Sequence, residues 1–184
     1  MTMLLERYPQ TITLKDGTEL VLRAMRKQDD RALMDFFEDL TDADRLYLRN
    51  DVSSYRVVRE WFNNLNYNRV FPLLAVQDNR IVANATLHRK PFGWMRHVGE
   101  IRIVVSPKFR KKGLAQTMFR ELIQTAEEAD LDKLTAEMAV SQTGAIEVFR
   151  KLGFKEETTL KGYIKDAKDK VHDLLIMTLD IRKA

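Results

Sequence analysis

The sequence predicts a mixed α/β domain with antiparallel strands early and a βαβ crossover in the middle. Three observations carry this prediction. Short apolar runs broken by turn signals fill much of the first hundred residues, and one long amphipathic stripe lies between two strand-like runs. A second helical stretch then leads into a final pair of strands.

Ile12-Thr13-Leu14 and Leu20-Val21-Leu22-Arg23 flank Lys15-Asp16-Gly17-Thr18 and read as a hairpin over residues 11–23. Asp-Gly suits a two-residue turn that needs positive φ. Asp29 or Asp30 can cap a helix that buries Leu33, Phe36, Phe37 and Leu40. Tyr55, Val58, Trp61, Phe62 and Leu65 mark a second helix. Three strands follow, Phe71 to Val76, Arg80 to His88 and His97 to Val105, with turns at Asp78-Asn79 and Pro91-Phe92-Gly93. Ala115, Met118, Phe119, Leu122, Ile123 and Ala126 then recur at three- and four-residue steps, one buried helical stripe. Lys133 to Met138 is a strand, and Thr143 to Leu152 is a helix ended by Gly153-Phe154 in the manner of a Schellman stop. Phe154 to Ile164 and Val171 to Ile181, joined by the charged turn at 166–170, complete the order.

A chain of 184 residues fits one domain, 1–184, with a sizeable core, and 45% hydrophobic against 32% charged content describes a soluble globular protein. No apolar run approaches the roughly 20 residues of a membrane span. Met1 to Gln10 lacks the apolar stretch of a signal peptide, so a cytoplasmic setting without a membrane partner is expected. The absence of cysteine excludes disulfides, a thiolate nucleophile and a cysteine zinc site. His88, His97 and His172 are scattered without ligand spacing, and no metal is expected. The net charge of +4 is interspersed with acids almost everywhere, so nucleic acid is not an expected partner.

The exception is Lys108 to Lys112. Val104-Val105-Ser106-Pro107 ends a β-branched run, and Lys108-Phe109-Arg110-Lys111-Lys112-Gly113-Leu114-Ala115 opens the long helix. Backbone N–H groups, a positive helix end and cationic side chains around one concavity suit a phosphate. A P-loop is excluded, because Lys112 precedes Gly113 and Leu114 follows it. One glycine also falls short of the dinucleotide fingerprint. On these residues alone, an ordinary strand-to-helix turn with solvated lysines is the alternative.

Arg110-x-x-Gly113-x-Ala115 after a strand resembles the pyrophosphate loop of the GCN5-related N-acetyltransferases, the GNAT family. The order of elements from about Glu19 to Ile181 is similar to that family's, and the stretch from Gly144 to Phe154 looks like its late helix. Lys15 to Arg23 together with Phe36 to Leu40 resembles the opening of bacterial protein-lysine acetyltransferase domains. The resemblance implies the acyl-CoA N-acyltransferase fold: a mixed central sheet with antiparallel N-terminal strands, one parallel crossover pair, and helices on both faces. It implies an enzyme that moves an acetyl group from acetyl-CoA directly to a primary amine, releasing coenzyme A. The acceptor is then a protein lysine or a small-molecule amine, and a non-catalytic acyl-CoA sensor is the remaining alternative.

The resemblance also implies site residues. Cofactor binding falls to the backbone of Ile103, Val104 and Val105 and to Arg110, Lys111, Lys112, Gly113, Leu114 and Ala115, with Lys111 and Lys112 alternatively solvated. Gln142 stands where an asparagine often contacts the cofactor. Phe149 replaces the tyrosine that protonates the leaving thiolate in many relatives, and it packs beside the cofactor or in the core. Tyr163 is a substitute donor, unless a thiol of pKa about 8.5 leaves unaided. Glu100 is the candidate base, sharing a strand face with Arg102 and Val104. A solvent-facing pair with Arg102 is the plainer alternative, and Glu137 is the fallback. Trp94 and Met95 are acceptor contacts or caps on the core, while His88 and His97 read as structural. Exposed late strands leave a homodimer open.

Overall fold

Eight strands form one sheet in the order β1-β2-β3-β4-β5-β6-β8-β7. The computed structural model describes residues 5–182; residues 1–4, the start of the stretch read for a signal peptide, and 183–184 lie outside them. The strands are β1 (Gln10–Thr13), β2 (Glu19–Ala24), β3 (Val70–Gln77), β4 (Arg80–Arg89), β5 (Val98–Val105), β6 (Lys133–Ala139), β7 (Lys155–Lys165) and β8 (Val171–Asp180). The helices are α1 (Asp30–Glu38), α2 (Asp42–Arg45), α3 (Tyr55–Asn63), α4 (Leu114–Glu128) and α5 (Thr143–Lys151). All neighbouring strands are antiparallel except β5 and β6, which the α4 crossover makes parallel. No helix among the described residues is long and apolar enough to cross a membrane.

Helices cover both faces. Met118, Phe119, Leu122 and Ala126 of α4 and Ile146 and Phe149 of α5 join Leu73, Ala85, Leu87 and Ile101 in one core. Leu33, Phe36 and Phe37 of α1 and Val58 and Phe62 of α3 pack with Leu74 and Ile81 on the other. Each such large side chain contributes about 1.5–3 kcal/mol over its exposed state. Of the predicted α4 stripe, Met118, Phe119, Leu122 and Ala126 are buried while Ala115 and Ile123 are half-buried; Leu114 and Thr125 are buried as well, and this burial fixes where the helix begins.

Local chemistry refines several expectations. The first hairpin closes on a three-residue loop, not two: Leu14 N–H donates to Thr18 O (2.8 Å) and Gly17 N–H to Leu14 O (3.0 Å). Only Gly17 in that loop is left-handed, at φ 83°. Asp29 does precede α1, but its carboxylate accepts the Arg26 N–H (2.7 Å) and both Arg23 Nη groups (2.6 and 2.8 Å). It therefore ties α1 to β2 instead of capping it. The Schellman stop is present, with Gly153 N–H on Arg150 O (3.0 Å) and Phe154 N–H on Phe149 O (3.1 Å).

Candidate active site

β5 and β6 pair at only three rungs, Val98↔Lys133, Gly99↔Leu134 and Glu100↔Thr135. The junction is tight: a Cβ on Gly99 would sit 2.8 Å from Leu131 and 2.9 Å from Leu87. Beyond Glu100, β5 stays paired with β4 as far as Val105, whereas β6 pairs with β8 as far as Ala139. The two strands splay, and the β5 edge over Ile101 to Val105 carries no ladder bonds to β6. Ile103, Val104 and Val105 are only half-buried along it.

The start of α4 closes the wide end of this opening. Thr117 N–H donates to Gly113 O (3.1 Å), so the N–H groups of Leu114, Ala115 and Gln116 precede the first helical donor and have no acceptor within the helix. Gly113 at φ 90° and Lys111 at φ 60° are both left-handed. A Cβ on Gly113 would lie 3.4 Å from Lys15 Cε, and Lys15 N–H donates to Lys112 O (3.3 Å), so the turn is pressed against the first hairpin. An unpaired strand edge running to an open helix N-terminus fits an elongated cosubstrate with amide groups at one end and a diphosphate at the other.

Two of the basic side chains of this turn, Arg110 and Lys112, are engaged within the chain. Arg110 Nη2 meets Asp44 Oδ1 at 2.7 Å and its Nε–H donates to Val105 O (3.0 Å). Lys112 Nζ meets Asp16 Oδ2 at 2.9 Å and lies 5.4 Å from the Phe109 ring centre. Lys112, followed by Thr18, pulls the Asp16 carboxyl down to about 2. Lys111 is exposed. Gln142 turns its Oε1 back to accept the Ala139 N–H (2.9 Å). Phe149 is 5% exposed, with Phe119 at 4.6 Å and Phe154 at 5.0 Å between ring centres; of its two readings, the core one describes its surroundings. Tyr163, offered as a substitute donor, is 66% exposed on β7, and β8 separates β7 from β6. The sheet order therefore keeps it about 10 Å beyond β6, away from the opening.

At the narrow end sits Glu100. Arg102 grips its carboxylate with Nε–H on Oε1 (2.8 Å) and Nη2–H on Oε2 (3.0 Å), so the expected same-face pair is present. Arg49, from the segment between α2 and α3, adds Nη2 at 3.0 Å from Glu100 Oε1 and 2.6 Å from Glu137 Oε2. Burial raises the Glu100 pKa, but the Arg102 bonds and the charges of Arg102 and Arg49 outweigh it and hold the carboxyl below its ordinary value. His88, opposite Glu100 on β4, is pushed down to about 4 by burial and then by Arg102. It is neutral at pH 7 and bonds Thr86 Oγ1 at 3.0 Å.

Several of these groups were invisible in the sequence. The segment around 44–49 is a strap laid across the splay: Asp44 holds Arg110, Tyr47 OH lies 3.1 Å from Ser141 Oγ, and Leu46 O accepts the Ala167 N–H (3.3 Å) from the β7–β8 turn. That turn is itself fixed by His172 Nε2 at 2.7 Å from Asp166 Oδ2. Nothing in the spacing of Asp44, Tyr47 and Arg49 announces such a role. In the 90–96 loop, Trp94 is 89% and Met95 39% exposed, so Trp94 does not cap the core; the neighbouring Phe92 is 85% exposed.

The model of the acetyltransferase (GNAT) family matches residues 22–154. The L-amino acid N-acetyltransferase AaaT of Escherichia coli K12 is 28% identical over 92 residues, 50% of this chain and 57% of that protein. The [ribosomal protein bS18]-alanine N-acetyltransferase of Salmonella typhimurium is 33% identical over 79 residues, 43% and 53% respectively. The chain thus spans about half the length of these curated relatives. The fold superposes on the structure of yncA from Salmonella typhimurium with its cofactor acetyl-CoA, at TM-score 0.76 and 18% identity, covering 91% of this chain and 96% of that one.

Proposed function

The chain belongs to the GNAT acetyltransferase family, and from that premise we propose that it is an acetyl-CoA-dependent N-acetyltransferase acting on a primary amine. The observation that carries this reading is the splay of β5 from β6 above Glu100, ending at the open N-terminus of α4. When bound, acetyl-CoA supplies the acetyl group as an activated thioester. The N–H groups of Leu114 to Gln116 and the positive end of α4 bind its diphosphate. The free β5 edge at Ile103, Val104 and Val105 orients the arm by backbone hydrogen bonds, as a missing strand would. Glu100 takes a proton from the acceptor ammonium. An alkylammonium of pKa about 10.4 is otherwise almost fully protonated at neutral pH. With Phe149 in a packed core, no side-chain acid stands at that position: as the acceptor nitrogen bonds the acetyl carbon and the C–S bond breaks, coenzyme A leaves as its thiolate, which a thiol pKa of about 8.5 allows.

For the acceptor, a protein lysine is the finer reading. It draws on the likeness of Lys15 to Arg23 and Phe36 to Leu40 to protein-lysine acetyltransferase openings. The projecting Phe92 and Trp94, in the loop that leads into the Glu100 strand, supply exposed apolar surface of the kind a protein acceptor engages. Small amino compounds are the alternative, since AaaT is an amino acid acetyltransferase. Calorimetry with coenzyme A, followed by thiol release with lysine peptides and with free amino acids, tests both levels. No binding of coenzyme A would sink the whole reading, and turnover of free amino acids alone would sink the finer one. The open edge of β7 is the surface on which a homodimer would form, a point sedimentation decides.

A further inference from the structure

The Glu100 carboxylate can act as a base only through a lone pair that nothing else occupies; Arg102 already donates to both its oxygens, and Arg49 pairs with one of them as an ion. The two arginines are not equivalent. Arg102 stands two residues along the same strand and forks onto both oxygens, so it moves only with β5. Arg49 reaches in from irregular chain and touches one oxygen with one nitrogen. Its side chain is 38% exposed, and it spans the splay to Glu137 on β6. It is a cation held between carboxylates on the two strands, at the place where the proposed reaction brings an ammonium.

We propose that Arg49 is a specificity-determining residue that sets acceptor affinity by competing with the acceptor's ammonium for Glu100. The proposal rests on the acetyltransferase reading above and deepens it. Exchange is inexpensive because the charge is conserved: one cation leaves the Glu100–Glu137 gap as another enters. Partly exposed ion pairs contribute little to stability, so the long side chain is readily displaced. The acceptor this gap takes carries an alkylammonium whose nitrogen reaches both carboxylates, and an amine that is uncharged at neutral pH gains nothing there. Asp44 and Tyr47 anchor the strap at two other points, so the Arg49 side chain can swing out without unfolding the segment.

The test compares Arg49→Ala and Arg49→Lys with the wild type. Calorimetry measures Nα-acetyl-lysine amide binding to the coenzyme A-loaded protein, and thiol release gives KM and kcat. Arg49→Ala is expected to tighten binding and lower KM roughly tenfold, the yield of releasing two modest ion pairs. Arg49→Lys, which still offers a cation, stays near the wild type. An unchanged or weaker acceptor Kd in Arg49→Ala, or a fall in kcat at constant KM, overturns the proposal and leaves Arg49 a structural strut. Should Arg49→Ala fail to bind coenzyme A, Arg49→Gln, which keeps the stem, carries the same expectation. The binding arm needs no turnover: tighter binding with no transfer by any variant would sink the acetyltransferase reading alone.

Discussion

The two sides of the splayed strand pair are built from different materials. On the α4 side, the groups aimed at a ligand are main-chain: the β5 edge and the amides that open α4, held by a core of Met118, Phe119 and Leu122. On the α1 and α3 side, they are charged side chains, Glu100, Arg102, Glu137 and Arg49, brought together from two strands and a strap. A backbone site tolerates change in every side chain except those that set its conformation. A side-chain site can be retuned one residue at a time. The invariant part of a reaction, the shared cosubstrate, is suited to the first kind, and the variable part, the acceptor, to the second.

The largest effect that would sharpen this contrast comes from Glu100→Gln. The amide keeps size and polarity but cannot take a proton at neutral pH. Transfer should fall about 10²–10⁴-fold, the span of general-base contributions, while coenzyme A affinity measured by calorimetry stays within a factor of about two. A loss of coenzyme A binding would mean that the two sides are not separable.

Gly113→Val attacks the other side. Gly113 adopts φ 90°, which a β-branched residue reaches only under strain. Its added Cβ would also stand 3.4 Å from Lys15 Cε. The strain, about 1–3 kcal/mol, should tilt the first turn of α4 and weaken coenzyme A binding by about ten- to a hundredfold. Acceptor KM at saturating acetyl-CoA should hardly move.

Legibility in the sequence divided along the same line. The β-branched run, the Ser-Pro stop and the α4 stripe are local patterns, so the turn from Arg110 to Ala115 and the helix after it were readable in order and place. The Schellman stop at Gly153 was readable for the same reason. The shared face of Glu100 and Arg102 followed from strand alternation, while the choice of Glu100 as base came from the family resemblance. What stayed hidden was long-range: Arg49 meets Glu137 across 88 positions and Tyr47 meets Ser141 across 94. No period or motif encodes such encounters. The short α2 also escaped, because a four-residue helix has no room for a stripe.

A third expectation concerns stability. His88 is held neutral, its pKa lowered to about 4 from 6.5 by burial and then by Arg102. Between those values the unfolded chain binds a proton that the folded chain refuses, so stability rises with pH across about pH 4 to 6.5 and is level above. Urea unfolding at pH 7 and pH 4.5 should differ by on the order of 2 kcal/mol from this group. His88→Gln should remove that part of the slope, and an unaltered slope would place the pH sensitivity elsewhere. Glu100, also lowered, loses its share only as pH falls further, through its own depressed value.

The smallest expected effect bears most directly on the backbone account. Lys112 has the charge and position of a phosphate ligand, yet its ammonium lies 2.9 Å from Asp16 Oδ2 and over the Phe109 ring. If the diphosphate is held by main-chain amides, Lys112→Met, which keeps the apolar stem, should weaken coenzyme A by less than about threefold, as removal of an exposed charge usually does. The Asp16 carboxyl, held at about 2 chiefly by Lys112, should move back toward the ordinary carboxylate range in an NMR titration, reporting that the pair was broken. A loss of tenfold or more in affinity would mean that Lys112 leaves Asp16 for the phosphates on binding. The α4 side would then rely on side-chain charge as much as the Glu100 side does.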